Sequence, residues 1–432
     1  MGGSALTANT TGASNVAVGS DALKANTTAG NNTAIGTLSL EANTTGESCT
    51  AVGADTMRAN TTGANNTAVG KAALTANTTA GSNTAIGSSS LSANTTGGDN
   101  TACGRSALQE NTTGASNTSV GYNALQQNTT GAKNTAVGYT ALKSNTTAGD
   151  NSAFGRNALT TNTTGADNTA IGESALSLNT TASNNVAVGK SALQENTTGT
   201  QNCAVGRKAL HLNTTADNNT AVGYTAGYNT TTGYSNTFIG VAAGNNGTTA
   251  IGNTCVGAEA GHDVSTGDNN LLLGNGAGRS SSPSGQITTN NDVVCLGNNS
   301  ISSLHCADTS ISSSDSRDKT DITEFTQGLS WIKALRPVTY RWDRRTWYGT
   351  EEKPYGTPDG SKKRQRLHVG FLAQEALEVE KTNGYGSTND DMLVCNLTED
   401  GMNYGIKYER LVPVLVNAIK ELSAKVTALE SK

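Results

Sequence analysis

The chain has 432 residues, of which 34% are hydrophobic and 4% aromatic, and its formal net charge at pH 7 is -5. This is too little apolar material for a globular core of that length. Residues 1–278 carry 10 Lys plus Arg against 14 Asp plus Glu, a mild balance that predicts neither a nucleic-acid partner nor a membrane partner.

The sequence also predicts no membrane span and no signal peptide, because it has no apolar run of 18 residues and no charged-then-apolar leader. Met1 directly precedes a repeat glycine, from which we expect a fragment without its natural N-terminal attachment region. Seven cysteines occur without CxxC spacing. They predict free, small, buried thiols in a reducing compartment, with no metal and no cofactor.

A 17-residue repeat organises the first 278 residues. Each unit reads, with substitutions, G-x-x-A-L-x-x-N-T-T-x-x-x-N-T-A-V. The repeat glycines follow one another without a slip: Gly2, Gly19, Gly36, Gly53, Gly70, Gly87, Gly104, Gly121, Gly138, Gly155, Gly172, Gly189, Gly206, Gly223, Gly240, Gly257 and Gly274. Such a short unit, rich in Thr, Val and Ile between turn residues, predicts a β-solenoid whose coils bury their apolar faces against their neighbours.

Each repeat position predicts a structural role. The apolar residue before the glycine, such as Val69, and the Leu four positions after it, such as Leu74, are expected to form the core. The Ala between Thr67 and Val69 is then expected on the outer face. There it suits close approach of a sister chain in a trimer, the alternative being that Ala merely tolerates solvent. Asn residues at two fixed places, such as Asn66 and Asn77, predict amide ladders that hold the turns.

The NTAVG-x-x-A-L unit resembles the short repeats in the heads of trimeric autotransporter adhesins. That resemblance implies a parallel β-roll in a spindle of three chains.

The repeat changes after residue 223. Gly227, Gly244, Gly261 and Gly278 replace the Leu, and the Ala row turns to Phe238, Cys255 and Leu272. We expect the larger residues to thicken the contact between chains. The new aromatic residues predict either sugar stacking on the distal coils or repacking of an altered core. We assign residues 1–278 to the shaft, regular to 223 and degenerate over 224–278.

Residues 279–313 are rich in Ser and Asn, with one short strand at 293–296, and read as a connector. All three Trp, four of the five Pro and 36 charged residues lie in 314–432. This composition predicts a separate α+β domain.

Four motifs in that domain carry a second resemblance. They are the string Ser314 to Ile322, LRPVTYRW (335–342), VGFLAQE (369–375) and YERLVPVLVNAIKEL (408–422). In this order they resemble the intramolecular chaperone domain of phage tailspikes and tail fibres of the endosialidase type. That family trimerises, directs folding of the preceding stalk and then cuts itself off. The resemblance implies a cut between Ser313 and Ser314, with Ser314 as nucleophile and Lys319 as general base. A lysine serves this role only where burial or a neighbouring cation lowers its pKa.

The last helix carries apolar residues three and four apart, which predicts a coiled-coil seam. The alternative is a helix packed on its own domain. The seam residues are Val412, Leu415, Ile419, Leu422, Val426 and Leu429.

Together these features predict a mainly β homotrimer, a phage tail fibre or tailspike shaft in the virion that is assembled in the host cytoplasm. Its expected partners are a host-surface glycan or protein receptor and, through the missing N-terminal region, the phage tail or baseplate. Its only expected enzymology is the intramolecular serine autoproteolysis. The alternatives are a polysaccharide-degrading tailspike, an ice-binding solenoid built on Thr rows such as Thr67 and Thr84, and a cell-anchored adhesin.

Overall fold

A computed structural model describes residues 2–301, 320–349, 353, 355–398 and 403–431. The chain forms two compact units, Met1–Ser302 and Ser303–Lys432. The first unit is a 17-stranded sheet and confirms the predicted β-solenoid. The second is a small mixed unit of helices and short strands.

Each coil of the solenoid contributes one strand of three residues, just before the repeat glycine. The strands β1 to β17 are Val16–Val18, Thr33–Ile35, Thr50–Val52, Thr67–Val69, Thr84–Ile86, Thr101–Cys103, Thr118–Val120, Thr135–Val137, Ser152–Phe154, Thr169–Ile171, Val186–Val188, Cys203–Val205, Thr220–Val222, Thr237–Ile239, Thr254–Val256, Leu271–Leu273 and Val294–Leu296.

Neighbouring strands pair in parallel, in constant register. Thr67 faces Thr84, and Val69 faces Ile86, one repeat later. The last pair joins Leu271 to Val294, so one coil is longer than the others. Strand β17 therefore comes from the stretch that the sequence assigned to a connector. Sixteen rung-to-rung steps of about 4.8 Å make this sheet about 77 Å long.

The core prediction was right for the Leu row and wrong for the Val row. Leu74, Leu91 and their equivalents are fully buried, but the buried residue of each strand is the central one, which is Ala in most strands, such as Ala68. Val69 instead points outward and is 37% exposed. The expected outward Ala and its contact with a sister chain are therefore corrected.

The inversion follows from the width of the coil. The Leu row crosses most of the interior, so only a side chain as short as Ala fits opposite it, and alternation along the strand then turns Thr and Val outward.

Two Asn ladders confirm the predicted role of the amides. Asn77 donates to Asn60 Oδ1 at 2.8 Å and to the Ala80 carbonyl at 2.9 Å. In the second ladder, Asn66 Oδ1 accepts the backbone N–H of Asn83 at 2.9 Å. Both rows are fully buried, so each coil satisfies its turn by bonding to the next one.

In the distal coils the large core residue stands at the centre of the strand, where the regular coils have Ala, and Gly stands where the regular coils have Leu. Phe238 is 2% exposed. A Cβ on Gly244 would lie 2.1 Å from its ring, and one on Gly227 would lie 2.8 Å away. Cys255 and Leu272 fill the space beside Gly261 and Gly278 in the same way. The expectation that these residues thicken a contact between chains was therefore wrong, and for Phe238 the repacked core was the correct alternative.

The second unit contains three helices, four strands and two 3-10 turns among its described residues. The helices are α1 Leu329–Ala334, α2 Ala373–Thr382 and α3 Leu411–Glu430. The strands form two antiparallel pairs, β18 Val338–Tyr340 with β19 His368–Gly370, and β20 Cys395–Leu397 with β21 Tyr404–Ile406. The 3-10 turns are Arg345–Tyr348 and Tyr408–Arg410. None of the helices described combines the length and the apolarity needed to cross a lipid bilayer.

Candidate functional site

The predicted processing residues Ser313, Ser314 and Lys319 lie outside the described residues, which resume at Thr320. The site is therefore built from the unit that directly follows them.

Helix α3 holds the segment that leads away from the processing motif. The Asn417 side chain donates to the carbonyl of Phe325 at 2.6 Å and to that of Gln327 at 3.2 Å. Glu421 Oε1 accepts the backbone N–H of Leu329 at 3.1 Å. The segment before α1 is thus attached to α3, and Glu421 pairs the Leu329 N–H, which the start of a helix leaves without an intrahelical partner.

Gly328 permits this close approach. A Cβ at this position would lie 2.8 Å from the backbone nitrogen of Ala418 and 2.3 Å from the Glu421 carboxylate. Because helix backbone cannot yield as a flexible side chain can, only glycine fits here without moving α3.

A small aromatic and aliphatic core supports the attachment. Trp331 of α1 is 1% exposed and packs with Val394, Leu411 and Val414. The Phe325 ring meets Trp331 edge-on, with centroids 6.1 Å apart. The same core therefore joins the segment before α1 to the start of α3.

The LRPVTYRW and VGFLAQE motifs meet in space. Their strands β18 and β19 pair, and Arg336 forms a two-point ion pair with Glu375, with Nε 3.0 Å from Oε2. The Arg336 guanidinium lowers the pKa of the Glu375 carboxyl by donating hydrogen bonds to it. Both side chains are largely exposed, so the pair orients the two motifs more than it stabilises them.

Tyr408 of the fourth motif contacts the VGFLAQE motif. Its hydroxyl accepts the backbone N–H of Phe371 at 3.0 Å, and the two rings stack at 6.0 Å. A Cβ on Gly370 would lie 2.4 Å from that hydroxyl. Glycine in the VGF sequence thus leaves room for the tyrosine.

Glu380 is an anchor that the sequence reasoning missed. Its carboxylate is fully buried and accepts the backbone N–H groups of Leu393, Val394 at 2.8 Å and Cys395 at 3.0 Å. Burial, with the Glu380 carboxylate beside it, raises the pKa of the Cys395 thiol to about 12. Helical spacing in the sequence could have predicted the burial of Glu380. It lies three residues beyond Leu377 and four beyond Ala376, on the buried face of α2.

The predicted seam of α3 is exposed in the single chain. The helix packs on its own unit through Leu411, Val414 and Ala418, while Ile419 is 66% exposed and Leu429 is 70% exposed. The remaining seam residues are exposed as well, namely Val412, Leu415, Leu422 and Val426. An apolar hollow of about 280 Å³ borders this face and is lined by residues that include Ile332, Phe371 and Leu415.

Many of these features lie within a stretch that matches a known family. Residues 314–385 match the family model Peptidase_S74, chaperone of endosialidase. The match begins at Ser314, contains the LRPVTYRW and VGFLAQE motifs and ends before α3. It confirms the predicted resemblance to the chaperone of endosialidase for residues 314–385. No curated protein matches the chain.

The solenoid offers weaker candidates. His211 stacks on Tyr228 with ring centroids 5.1 Å apart, and His262 lies 2.7 Å from Asp263. Among the described residues no group of three metal-ligating side chains forms. Tyr224 and Tyr234 are exposed, and sugar stacking on them stays a prediction.

The cysteines were predicted to be buried. Cys49, Cys255, Cys295 and Cys395 are buried, whereas Cys103 and Cys203 are partly exposed, and these six are free. The seventh, Cys306, lies outside the described residues.

Proposed function

We propose that this chain is a phage tail-fibre or tailspike protein of the virion. Its β-solenoid reaches and binds a host surface, and its C-terminal unit assembles three chains and then cuts itself off. The observation that carries the proposal is the family match that begins at Ser314. The exposed seam of α3 supports the assembly role, because six apolar residues at heptad spacing are stable only when another helix covers them.

The contacts of α3 connect assembly to processing. The helix that carries the seam also binds Phe325, Gln327 and Leu329, a few residues beyond Lys319. When copies of α3 pack together, they restrain the segment that follows the processing motif. Cleavage then depends on completed assembly, and an unassembled chain keeps its chaperone.

The proposed cut follows serine chemistry. Ser314 Oγ attacks the carbonyl carbon of Ser313 while Lys319 takes the hydroxyl proton, and the nitrogen of Ser314 leaves with a proton returned by the lysine. The acyl group is then carried as an ester on Oγ, and water hydrolyses it. The products are a shaft that ends at Ser313 and a released chaperone that begins at Ser314.

Intact-mass measurement of purified protein tests the cut. The expected result is two fragments, residues 1–313 and 314–432, in the wild type, and one full-length chain in Ser314→Ala and Lys319→Ala. Ser316→Ala is the matched control and is expected to cleave normally. An uncleaved wild type, or cleavage that persists in Ser314→Ala, contradicts the proposed chemistry.

Sedimentation tests the assembly. The uncleaved Ser314→Ala protein is expected to sediment as three chains. Adding Ile419→Asn, which places a polar group in the seam, should shift it towards single chains, whereas Lys420→Asn on the adjacent exposed position should not. Sedimentation of Ser314→Ala as a single chain contradicts the trimer independently of the cleavage result.

A further inference from the structure

The sheet of the solenoid presents an uncovered face. The first and third residues of each strand point outward, and we call these two columns over β1–β17 the outer strand face. The third residue is apolar in every strand, and it is well exposed in several of them: Val18 at 47%, Ile35 at 40%, Ile86 at 42% and Ile171 at 42%. Apolar side chains, each of them exposed or half-buried, thus form one column along the coils.

This face carries no charge. The first column is Thr in most strands, with Ser152, Val186, Cys203, Leu271 and Val294 among the exceptions. None of the outward residues of β1–β17 is Asp, Glu, Lys or Arg. The charged side chains of the coils lie in the turns, as in the ion pairs Arg58–Glu41 and Lys190–Glu173. A surface selected only for solubility would mix charges into such a face.

The area of this face is comparable to that of the largest apolar patch on a typical monomer, a kind of patch that is often functional. Two columns about 7 Å apart over about 77 Å cover on the order of 500 Å² before their flanks are added. The largest apolar patch of a typical monomer is about 300–600 Å², and a stable interface takes about 800 Å² from each partner. Covering this face would therefore remove a patch that a single chain leaves in water.

The rung spacing identifies the partner. One outward apolar side chain, Val or Ile on most rungs, repeats at the constant strand spacing over seventeen rungs. A partner therefore fills the gaps between successive side chains only where it has the same period. A second copy of this chain has that period, and two uncharged faces do not repel each other. A globular partner would match a few rungs at most.

We propose that the outer strand face is the surface through which copies of this chain pack on one another, with like rungs opposite like rungs. The proposal rests on the three-chain assembly proposed above. It adds that the solenoid itself, and not only helix α3, carries the contact between chains. Parallel packing follows because chains joined through the same C-terminal helices run in the same direction.

Cysteine cross-linking tests the face directly. Cys103 is the third residue of β6 and Cys203 the first residue of β12, so both lie on it. In the Ser314→Ala protein, copper phenanthroline with oxygen takes two electrons and two protons from each pair of thiols. The expected result is a disulfide between chains, visible on a non-reducing gel, that is lost in the Cys103→Ser/Cys203→Ser double variant.

Single cysteines placed in that double variant locate the contact. Thr135→Cys or Val137→Cys, on the face, is expected to restore the cross-link. Thr147→Cys is the matched control, because Thr147 is exposed on another arm of a neighbouring coil. A cross-linked fraction at Thr147 equal to or above that at both face positions overturns the proposal.

Charge insertion gives a second readout. Val120→Lys with Val137→Lys would bury two unpaired charges per chain and raise the dissociation constant by about 100-fold or more. Thr130→Lys with Thr147→Lys, at exposed positions outside the outer strand face, should leave the assembly unchanged. If Ser314→Ala is a trimer and the Val120/Val137 variant dissociates no more readily, this inference fails while the trimer stands. If Ser314→Ala is a single chain, the assembly itself fails.

Discussion

The two units satisfy their buried polar groups in different ways. In the solenoid, each buried Asn bonds to the equivalent Asn one repeat away, as Asn77 does to Asn60. In the C-terminal unit, Asn417 binds Phe325 across 92 residues of sequence. The Glu380 carboxylate accepts hydrogen bonds from three consecutive backbone N–H groups. The solenoid therefore repeats one local solution, whereas the C-terminal unit depends on single links between distant segments. The loss of one such hydrogen bond should therefore destabilise only the adjoining coils of the solenoid, whereas in the C-terminal unit it should destabilise several elements together.

The largest effect is expected from the core of the distal coils. Phe238→Ala removes a buried ring that fills the space beside two glycines, which should cost about 3 to 5 kcal/mol of unfolding free energy. Thermal unfolding followed by circular dichroism measures it. Adding Gly244→Leu recreates the Ala and Leu combination of the regular coils and should recover part of the loss.

Tyr234→Ala is the control for this substitution, because Tyr234 is 47% exposed in the same coil. Equal destabilisation by Tyr234→Ala and Phe238→Ala would contradict the exchange of large and small residues across the core.

In the C-terminal unit, Glu380→Gln should cost about 3 kcal/mol, because the amide of Gln turns a donor towards a backbone N–H and leaves it unpaired. All three Trp lie after residue 313, so tryptophan fluorescence during urea unfolding reports this unit. Glu378→Gln, on the exposed side of α2, is the matched control. We expect Glu380→Gln to lower the hydrogen-exchange protection of α2 and β20 together. Loss of protection in β20 alone would contradict the role of Glu380 in joining these two elements.

A smaller and local effect is expected in the Asn ladder. Asn111→Ala removes a donor to Asn94 and to the Gly114 carbonyl, and it leaves Asn128 with only the Gly131 carbonyl of its two acceptors. The cost should be about 1 to 3 kcal/mol. Hydrogen exchange should increase in the adjoining coils only. Exchange that rises equally along all seventeen rungs would refute the local behaviour expected of the repeat.

The smallest effect is expected from the exposed pair of Arg336 and Glu375. The guanidinium lowers the pKa of Glu375 in the folded chain, so the pair stabilises above the unfolded pKa of the carboxyl. That stabilisation is lost as the pH falls through the folded pKa. Urea midpoints of the wild type and Arg336→Gln should therefore differ slightly at neutral pH and converge at acidic pH. A difference that grows on acidification would reverse the assigned sign.

Much of the solenoid was readable from the sequence because its contacts are periodic. The 17-residue spacing predicts one strand per coil, the buried Leu row and both Asn ladders, since each residue meets its own equivalent in the next coil. The chaperone match was likewise predictable from motifs such as LRPVTYRW. Ser313, Ser314 and Lys319 remain a prediction outside the described residues.

The periodic spacing alone could not tell which side of a three-residue strand faces inward. In Thr67–Val69 either face could be buried, and residue size alone favours the larger apolar residue for the core until the width of the coil is known. The interior admits one large side chain per level, so Leu74 excludes Val69 and Ala68 takes its place, while Gly244 admits Phe238. Glu380 and Gly328 depend in the same way on partners distant in sequence. Periodicity in the chain thus determined which residues stack, and the space available across each coil determined which of them are buried.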